Sequence, residues 1–287
     1  MIAVGEAPAR VLMLSEAARE NLIARSAGVE LATAEPLFAL PAEQRTVVEQ
    51  IRAELRTRGY AVVGGFPVGR LGPRAAAAFW IWSSLLGRPM LQNLQGQRID
   101  VVRNEGAATV RGAKTDRELI FHTDFANSAP DVFGLLTVHQ ARAGGDSLLS
   151  DGHAVARMLR EQDQPAYDQL RSPFLVDRTG DVTLDREQIV GIPVIGDGEE
   201  TPRLCYNRAR IHRGHRYARR PLTAAQARAL DRFDELLAGS AQRLRLEAGQ
   251  AIFIDNHRML HSRTAFTDWD DLSRRRELLR VWLRQDG

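Results

Sequence analysis

The chain has 287 residues, 44% of them hydrophobic, which is enough for a sizeable buried core and fits one domain spanning 1–287. The single cysteine, Cys205, excludes an intramolecular disulfide and any multi-cysteine zinc site; with no basic-then-apolar leader and no bilayer-length apolar run, the expected compartment is the cytoplasm, with no membrane partner. A formal charge of +3 is too small to point to nucleic acid, and the use of arginine for every positive charge but Lys114 reads as composition bias.

Residues 1 to about 38 show no clear period and predict an irregular N-terminal segment. Pro41 then opens a helix whose Val47, Val48, Ile51 and Leu55 recur at helical spacing until Gly59 ends it, before the strand Tyr60-Ala61-Val62-Val63 and the turn Gly64-Gly65. A second, Ala-rich helix over about 73–86 carries Phe79, Trp80 and Trp82. From Arg98 to Asp185 short strands alternate with Gly, Pro, Asn and Asp, interrupted by one helix after Asp151.

The arginine-rich stretch Arg208 to Arg220 reads as a solvated loop. Thr223-Ala224-Ala225-Gln226 is a capping box that starts a helix running to Ala238. Arg243 to Leu246, Ala251 to Asp255 and Arg276 to Arg284 are strands, with Gly249 turning between the first two. Strands that cluster instead of alternating with helices predict a mainly β fold with α decoration: a double-stranded β-helix (jelly roll) flanked by helices.

His122-Thr123-Asp124 lies in the apolar run Leu119-Ile120-Phe121-His122-Thr123-Asp124-Phe125, which reads as a strand. Side chains two positions apart on a strand share a face, so imidazole and carboxylate converge there. His261, 137 positions after Asp124 and just past the strand ending at Asp255, can complete a site. Two imidazoles and one carboxylate leave the opposite metal positions open, as in non-haem iron(II) oxygenases, whereas a structural zinc normally closes its fourth position. His257 is a rival third ligand. On a helix it would share a face with His261 as in zinc proteases, but the glutamate which that motif needs beside the first histidine is Arg258 here.

These residues, with Gly144-Gly145-Asp146-Ser147, the segment from Asp255 through His261 to Phe266, and Arg275-Arg276-Glu277-Leu278-Leu279-Arg280, occur in an order and spacing that resembles the taurine dioxygenase and clavaminate synthase-like iron(II), 2-oxoglutarate-dependent oxygenases. The resemblance spans roughly residues 60 to 284 and departs from the common pattern at Ser262, where glycine is usual. It implies His122, Asp124 and His261 as ligands of Fe(II), with His261 preferred to His257. It further implies 2-oxoglutarate as cosubstrate, its C5 carboxylate clamped by Arg276 and contacted by Ser147. Arg280 matches a second family arginine, placed near the C1 carboxylate or an acidic substrate group, or held in a structural ion pair. A guanidinium suits such a clamp because its rigid fork matches a carboxylate bidentately and stays charged when partly buried. His139, His153 and His212 match no role.

The implied reaction consumes dioxygen and a small-molecule substrate, most simply hydroxylating an unactivated carbon; desaturation or cyclisation are alternatives within the family. Asp124 argues against halogenation, for which a small residue replaces the carboxylate. The amide-rich Gln92 to Gln97 segment can bind a polar molecule, and Trp269 among Asp268, Asp270 and Asp271 can form an acidic lid suited to an amine. An amino acid or amino-acid-derived product is the expected substrate. Two readings from other classes remain: a nucleic-acid-binding protein using Arg208 to Arg220 with His212, His215 and Tyr217, and a non-catalytic β-sandwich binding module.

Overall fold

Apolar runs without polar alternation, such as Tyr60–Gly64 and Ala251–Asp255, are buried along nearly their whole length and lie in the middle of a seven-stranded sheet. They belong to a computed structural model that describes residues 10–37, 39, 41–94, 96–106, 112–124, 129–179, 186–198 and 200–285. The strands of this major sheet run, in spatial order, Val11–Met13, Tyr60–Gly64, Ala251–Asp255, Val132–His139, Glu277–Arg284 and Arg88–Met90, with Asp100–Val102 also paired to Glu277–Arg284. A four-stranded minor sheet has the order Gln242–Leu244, Ser147–Asp151, Met259–Arg263, Leu119–His122.

The pleat of Glu277–Arg284 explains the layering. Leu279, Val281 and Leu283 point into a core shared with the helices Ala42–Arg58 and Ala75–Ser83, while Trp282 points the other way. Each such aliphatic side chain contributes about 1.5–3 kcal/mol when withdrawn from water. On the opposite face Trp282, Phe133, Ile252 and Ile254 meet Leu149, Leu244 and Met259 of the minor sheet. The far side of the minor sheet is covered through Phe121, Leu148 and Leu260 by the helices Gly152–Gln162, Gln164–Arg171 and Ala224–Gly239. Helices thus cover the outward face of each sheet, and the fold is mixed α/β with several sheets. Among the described residues no helix is long and apolar enough to cross a membrane.

The capping box is realised: Thr223 Oγ1 accepts from the Gln226 amide at 3.1 Å and Gln226 Oε1 from the Thr223 amide at 2.9 Å. Gly59, at φ 78°, ends the first predicted helix as expected.

Four expectations are corrected. Residues 10–37 are not irregular throughout: they hold the strand Val11–Met13 and the helix Glu16–Arg25, capped by Ser15, whose period is weakly marked because only Ala18 and Leu22 are buried. Residues 1–9 and 38 lie outside the described residues. The segment after Asp151 is two helices, broken at Asp163. Arg208–Tyr217 is a helix and not a loop, capped by Asn207 and buried through Ile211, Gly214 and His215, a face with one aliphatic residue that its arginines conceal. Finally, the strand bearing His122 stops there, so Asp124 lies beyond it and Phe125 outside the described residues. Strand alternation therefore does not place Asp124.

Candidate metal centre

His122 and His261 are register partners on adjacent antiparallel strands, so their rings meet with centroids 4.4 Å apart. Asp124 reaches them from two residues beyond His122, past the end of the strand. Its Oδ1 lies 3.9 Å from His122 Nε2 and 3.8 Å from His261 Nε2, and one ligand atom from each of the three lies within 4.8 Å of the others. Asp124 is bracketed by Asn256, fully buried, whose side chain bonds both its amide and its carbonyl. Asp124 Oδ2 accepts from Trp282 Nε1 at 2.5 Å and Arg280 Nη1 at 3.3 Å.

Protonation suits a cation. The carbonyl of Ile120, 2.9 Å from His122 Nδ1, can only accept, so Nδ1 carries the hydrogen and Nε2 presents its lone pair to the cluster. Burial, reinforced by His261, pushes His122 down to about 4, leaving it neutral at pH 7. Burial alone would raise Asp124, but Arg280 and the two histidines outweigh it and hold the carboxyl well below its usual range. A neutral imidazole at His122 and an ionised carboxylate at Asp124 are states that bind a divalent ion. Two nitrogens and one oxygen, closed on the protein side, fit iron(II) with positions to spare; such a set can also hold catalytic zinc.

His122, Asp124, His261, Ser147, Arg276 and Arg280 all line one chamber, beside apolar Leu119, Phe133, Leu135, Leu149 and Ile252. Arg276 is buried, its backbone N–H donates to Asp268 Oδ1 at 2.7 Å, and its guanidinium lies 5.0 Å from the Phe266 ring. Its Nη1 is buried without a hydrogen-bond partner. Burial, then nearby Arg263, pushes Arg276 down to about 9. Asp268 and Asp146 lie near enough to favour its charge, but no ion pair among the described residues takes up Nη1, so the buried guanidinium keeps a donor free for an anion in the same chamber as the triad. Such a cation suits a dianion that chelates a metal at one end and ends in a carboxylate at the other.

Of the remaining predicted residues, Ser147 begins the strand Ser147–Asp151. Arg280 donates to Gln92 Oε1 at 3.2 Å, Asp124 Oδ2 at 3.3 Å and Asp100 Oδ2 at 2.9 Å, which is the ion-pair alternative. His257 lies 2.9 Å from Asp131 and next to Arg203, outside the triad. His153 bonds the Pro202 carbonyl and His212 the Arg208 side chain. The acidic lid is not formed at the chamber: none of residues 268–271 lines it, because Asp268 serves the Arg276 backbone, Asp271 caps Ser273, and Trp269 donates to the Gln140 carbonyl. Within the amide segment Gln92 braces Arg280 and Asn93 bonds Gln97, while Gln95 lies outside the described residues. In the arginine-rich helix Arg208 pairs with Asp231 and Asp234, and Arg213 with Asp177, so those cations are not a free stripe.

Sequence reasoning missed Asn256, Trp282, Asp100 and Phe133, whose ring stacks on His261 at 4.6 Å and 12°. The signals available were the turn-prone Asn256 just after the strand ending at Asp255 and the alternation of the last strand, which puts Trp282 on the face of Arg280.

A profile of the taurine catabolism dioxygenase TauD, TfdA family matches residues 27–282. FR-33289 synthase of Streptomyces rubellomurinus (strain ATCC 31215) is 24% identical over 237 residues, covering 78% of this chain and 68% of that protein. Asparagine oxygenase, solved with Fe(II), 2S,3S-3-hydroxyasparagine and succinate, aligns with a TM-score of 0.74 at 21% identity, over 96% of this chain and 94% of that one. The non-heme iron oxygenase OrfP with Fe and alpha-ketoglutaric acid gives 0.68 at 19% identity, over 96% and 95%. A further OrfP complex holds Fe, succinate and (3S)-hydroxy-L-Arg.

Proposed function

The chain belongs to the taurine catabolism dioxygenase TauD, TfdA family, and from that premise we propose that it hydroxylates an unactivated C–H bond of an amino acid or amino-acid-derived small molecule. It is an iron(II)- and 2-oxoglutarate-dependent oxygenase. His122, Asp124 and His261 hold the metal, Arg276 with Ser147 receives the C5 carboxylate of 2-oxoglutarate, and Arg280 fixes Asp124. The observation that carries this assignment is the unpartnered Nη1 of buried Arg276 in the chamber of the triad.

Iron(II) held by the triad would activate dioxygen, the oxidant: 2-oxoglutarate would take up one of its oxygen atoms and leave as succinate and carbon dioxide, and the other would be delivered to the substrate. The chain's own contribution is positioning and exclusion of water: His122 Nδ1–H fixes its tautomer, Arg276 neutralises the cosubstrate, and the apolar wall of Leu119, Leu135 and Ile252 keeps the reacting carbon dry. The facing sheets support a double-stranded β-helix within one domain, and the lone Cys205 supports a cytoplasmic setting. The amino-acid class rests on asparagine oxygenase and OrfP, both solved with hydroxylated amino acids.

The test is succinate formation with iron(II) across a panel of amino acids and their derivatives, with mass spectrometry of the product. Gain of one oxygen supports hydroxylation, and loss of two hydrogens points to desaturation or ring closure. His122→Ala and Asp124→Ala abolish turnover; full activity in either refutes the site.

A further inference from the structure

A carboxylate can bind a metal through one oxygen or through both, and the second mode takes up a position that a chelating cosubstrate needs. Asp124 is built for the first. Oδ1 faces both histidine Nε2 atoms at 3.9 and 3.8 Å, while Oδ2 is turned away and accepts from Trp282 Nε1 at 2.5 Å. Arg280 Nη1 also donates to Oδ2, but at 3.3 Å, and its guanidinium is shared with Asp100 and Gln92. The indole is the more specific of the two partners. It has one donor, no acceptor and a rigid plane, and it is 4% exposed.

Its place in the sheet is equally defined. Trp282 is the cross-strand partner of Phe133, and the Phe133 ring stacks on His261 at 4.6 Å. One aromatic pair of the major sheet therefore braces two of the three metal-facing side chains, which are carried by the minor sheet and the residues just beyond its strand Leu119–His122.

We infer that Trp282 is a positioning residue which occupies Asp124 Oδ2 and so commits Asp124 to the metal through Oδ1 alone, keeping a coordination position free for 2-oxoglutarate. The inference rests on the assignment of the triad above. It concerns cosubstrate binding more than metal retention, because a carboxylate released from the indole can still hold the ion.

Anaerobic titrations test it. Iron(II) affinity is measured first, and then 2-oxoglutarate affinity through the visible charge-transfer absorption of a 2-oxo acid chelated to iron(II). In Trp282→Phe, which keeps a ring but loses the donor, 2-oxoglutarate binding weakens about 10–100-fold while iron(II) affinity is held. Trp282→His, which retains a ring N–H, recovers part of the loss. If the phenylalanine variant does not fold, Trp282→Met, donor-free but adaptable in packing, takes its place. Unchanged 2-oxoglutarate affinity overturns the inference, as does a loss of iron(II) and 2-oxoglutarate affinity in step with a lowered Tm, which marks a packing role. A wild-type chain that binds neither ligand refutes the triad assignment instead.

Discussion

Asn256 grips Asp124 by its peptide: Oδ1 accepts the Asp124 N–H at 2.8 Å and Nδ2 donates to the Asp124 carbonyl at 2.9 Å, with a second bond from Nδ2 to the Pro130 carbonyl at 3.1 Å. The metal-facing carboxylate lies outside any strand, so this bracket does the work that a β-ladder would otherwise do.

Removing the bracket therefore unsettles both the fold and the metal centre. Asn256→Ala strands a buried N–H and two carbonyls, each costing about 1–3 kcal/mol when unpaired. Urea denaturation should show a loss of about 3 kcal/mol or more, and iron(II) affinity should fall roughly 10–100-fold, as for other outer-shell partners. A stability change under about 1 kcal/mol would mean that Asp124 is held by other contacts.

Arg276 places a buried cation in the chamber, and its replacement separates stability from binding. Arg276→Met removes a buried cation that makes no ion pair among the described residues and has one donor unpartnered, so the ligand-free variant should be at least as stable as wild type. It should lose the protection that 2-oxoglutarate gives the wild type, which at 100 times Kd is about 2.7 kcal/mol, or a rise of several degrees in Tm. Thermal melts with and without 2-oxoglutarate, under anaerobic iron(II), read both quantities. Protection that survives in Arg276→Met would place the C5 carboxylate elsewhere.

Asp151 joins the minor sheet to the helix Gly152–Gln162: it caps the helix and pairs with Arg258 at 2.6 Å. Burial would raise its pKa, but Arg258 outweighs burial and lowers it. A carboxyl depressed in the folded state adds stability above the unfolded value of about 3.9 and loses it as pH falls through the folded pKa. Asp151→Asn keeps the cap acceptor and loses the charge. At pH 7 it should cost about 1–2 kcal/mol, with the gap to wild type closing as the pH drops below about 4. Denaturation curves at several pH values check this; a gap independent of pH would assign the effect to the cap.

Legibility in the sequence followed the range of the interaction. His122, Asp124 and His261 were readable because ligand chemistry restricts residue type, and Arg276 because a fixed charge at one offset carries the resemblance. The helix from Ala224 was readable because a capping box is local. Asn256 was visible only as a turn-prone residue, since its bond to Asp124 spans 132 positions, and Trp282 reaches the same residue across 158. Local patterns do not encode such pairings. The helix Arg208–Tyr217 escaped because Ile211 is the sole aliphatic residue on its buried face, the remainder being Gly214 and His215. Asp124 shows the converse error: strand alternation predicted the convergence with His122, but the strand ends at His122 and Asn256 holds Asp124 beyond it.

Gly145 shows how closely the anion clamp is fitted. It sits at φ +76°, and a Cβ there would lie 2.9 Å from Arg276 Nε and 3.3 Å from its Cδ. The arginine has little room to yield, because its guanidinium stacks on Phe266 and its backbone is tied to Asp268. Gly145→Ala should therefore cost about 1–2 kcal/mol for the left-handed backbone and also displace the guanidinium, weakening 2-oxoglutarate binding about tenfold, or 1.4 kcal/mol, with iron(II) affinity unchanged. Gly28→Ala is the matched control, since Gly28 shares a positive φ of +70° but has nothing within 4 Å of its Cβ position. It should lose similar stability while binding 2-oxoglutarate as wild type does. Equal cosubstrate affinity in the two variants would show that the contact with Arg276 is not what fixes the clamp.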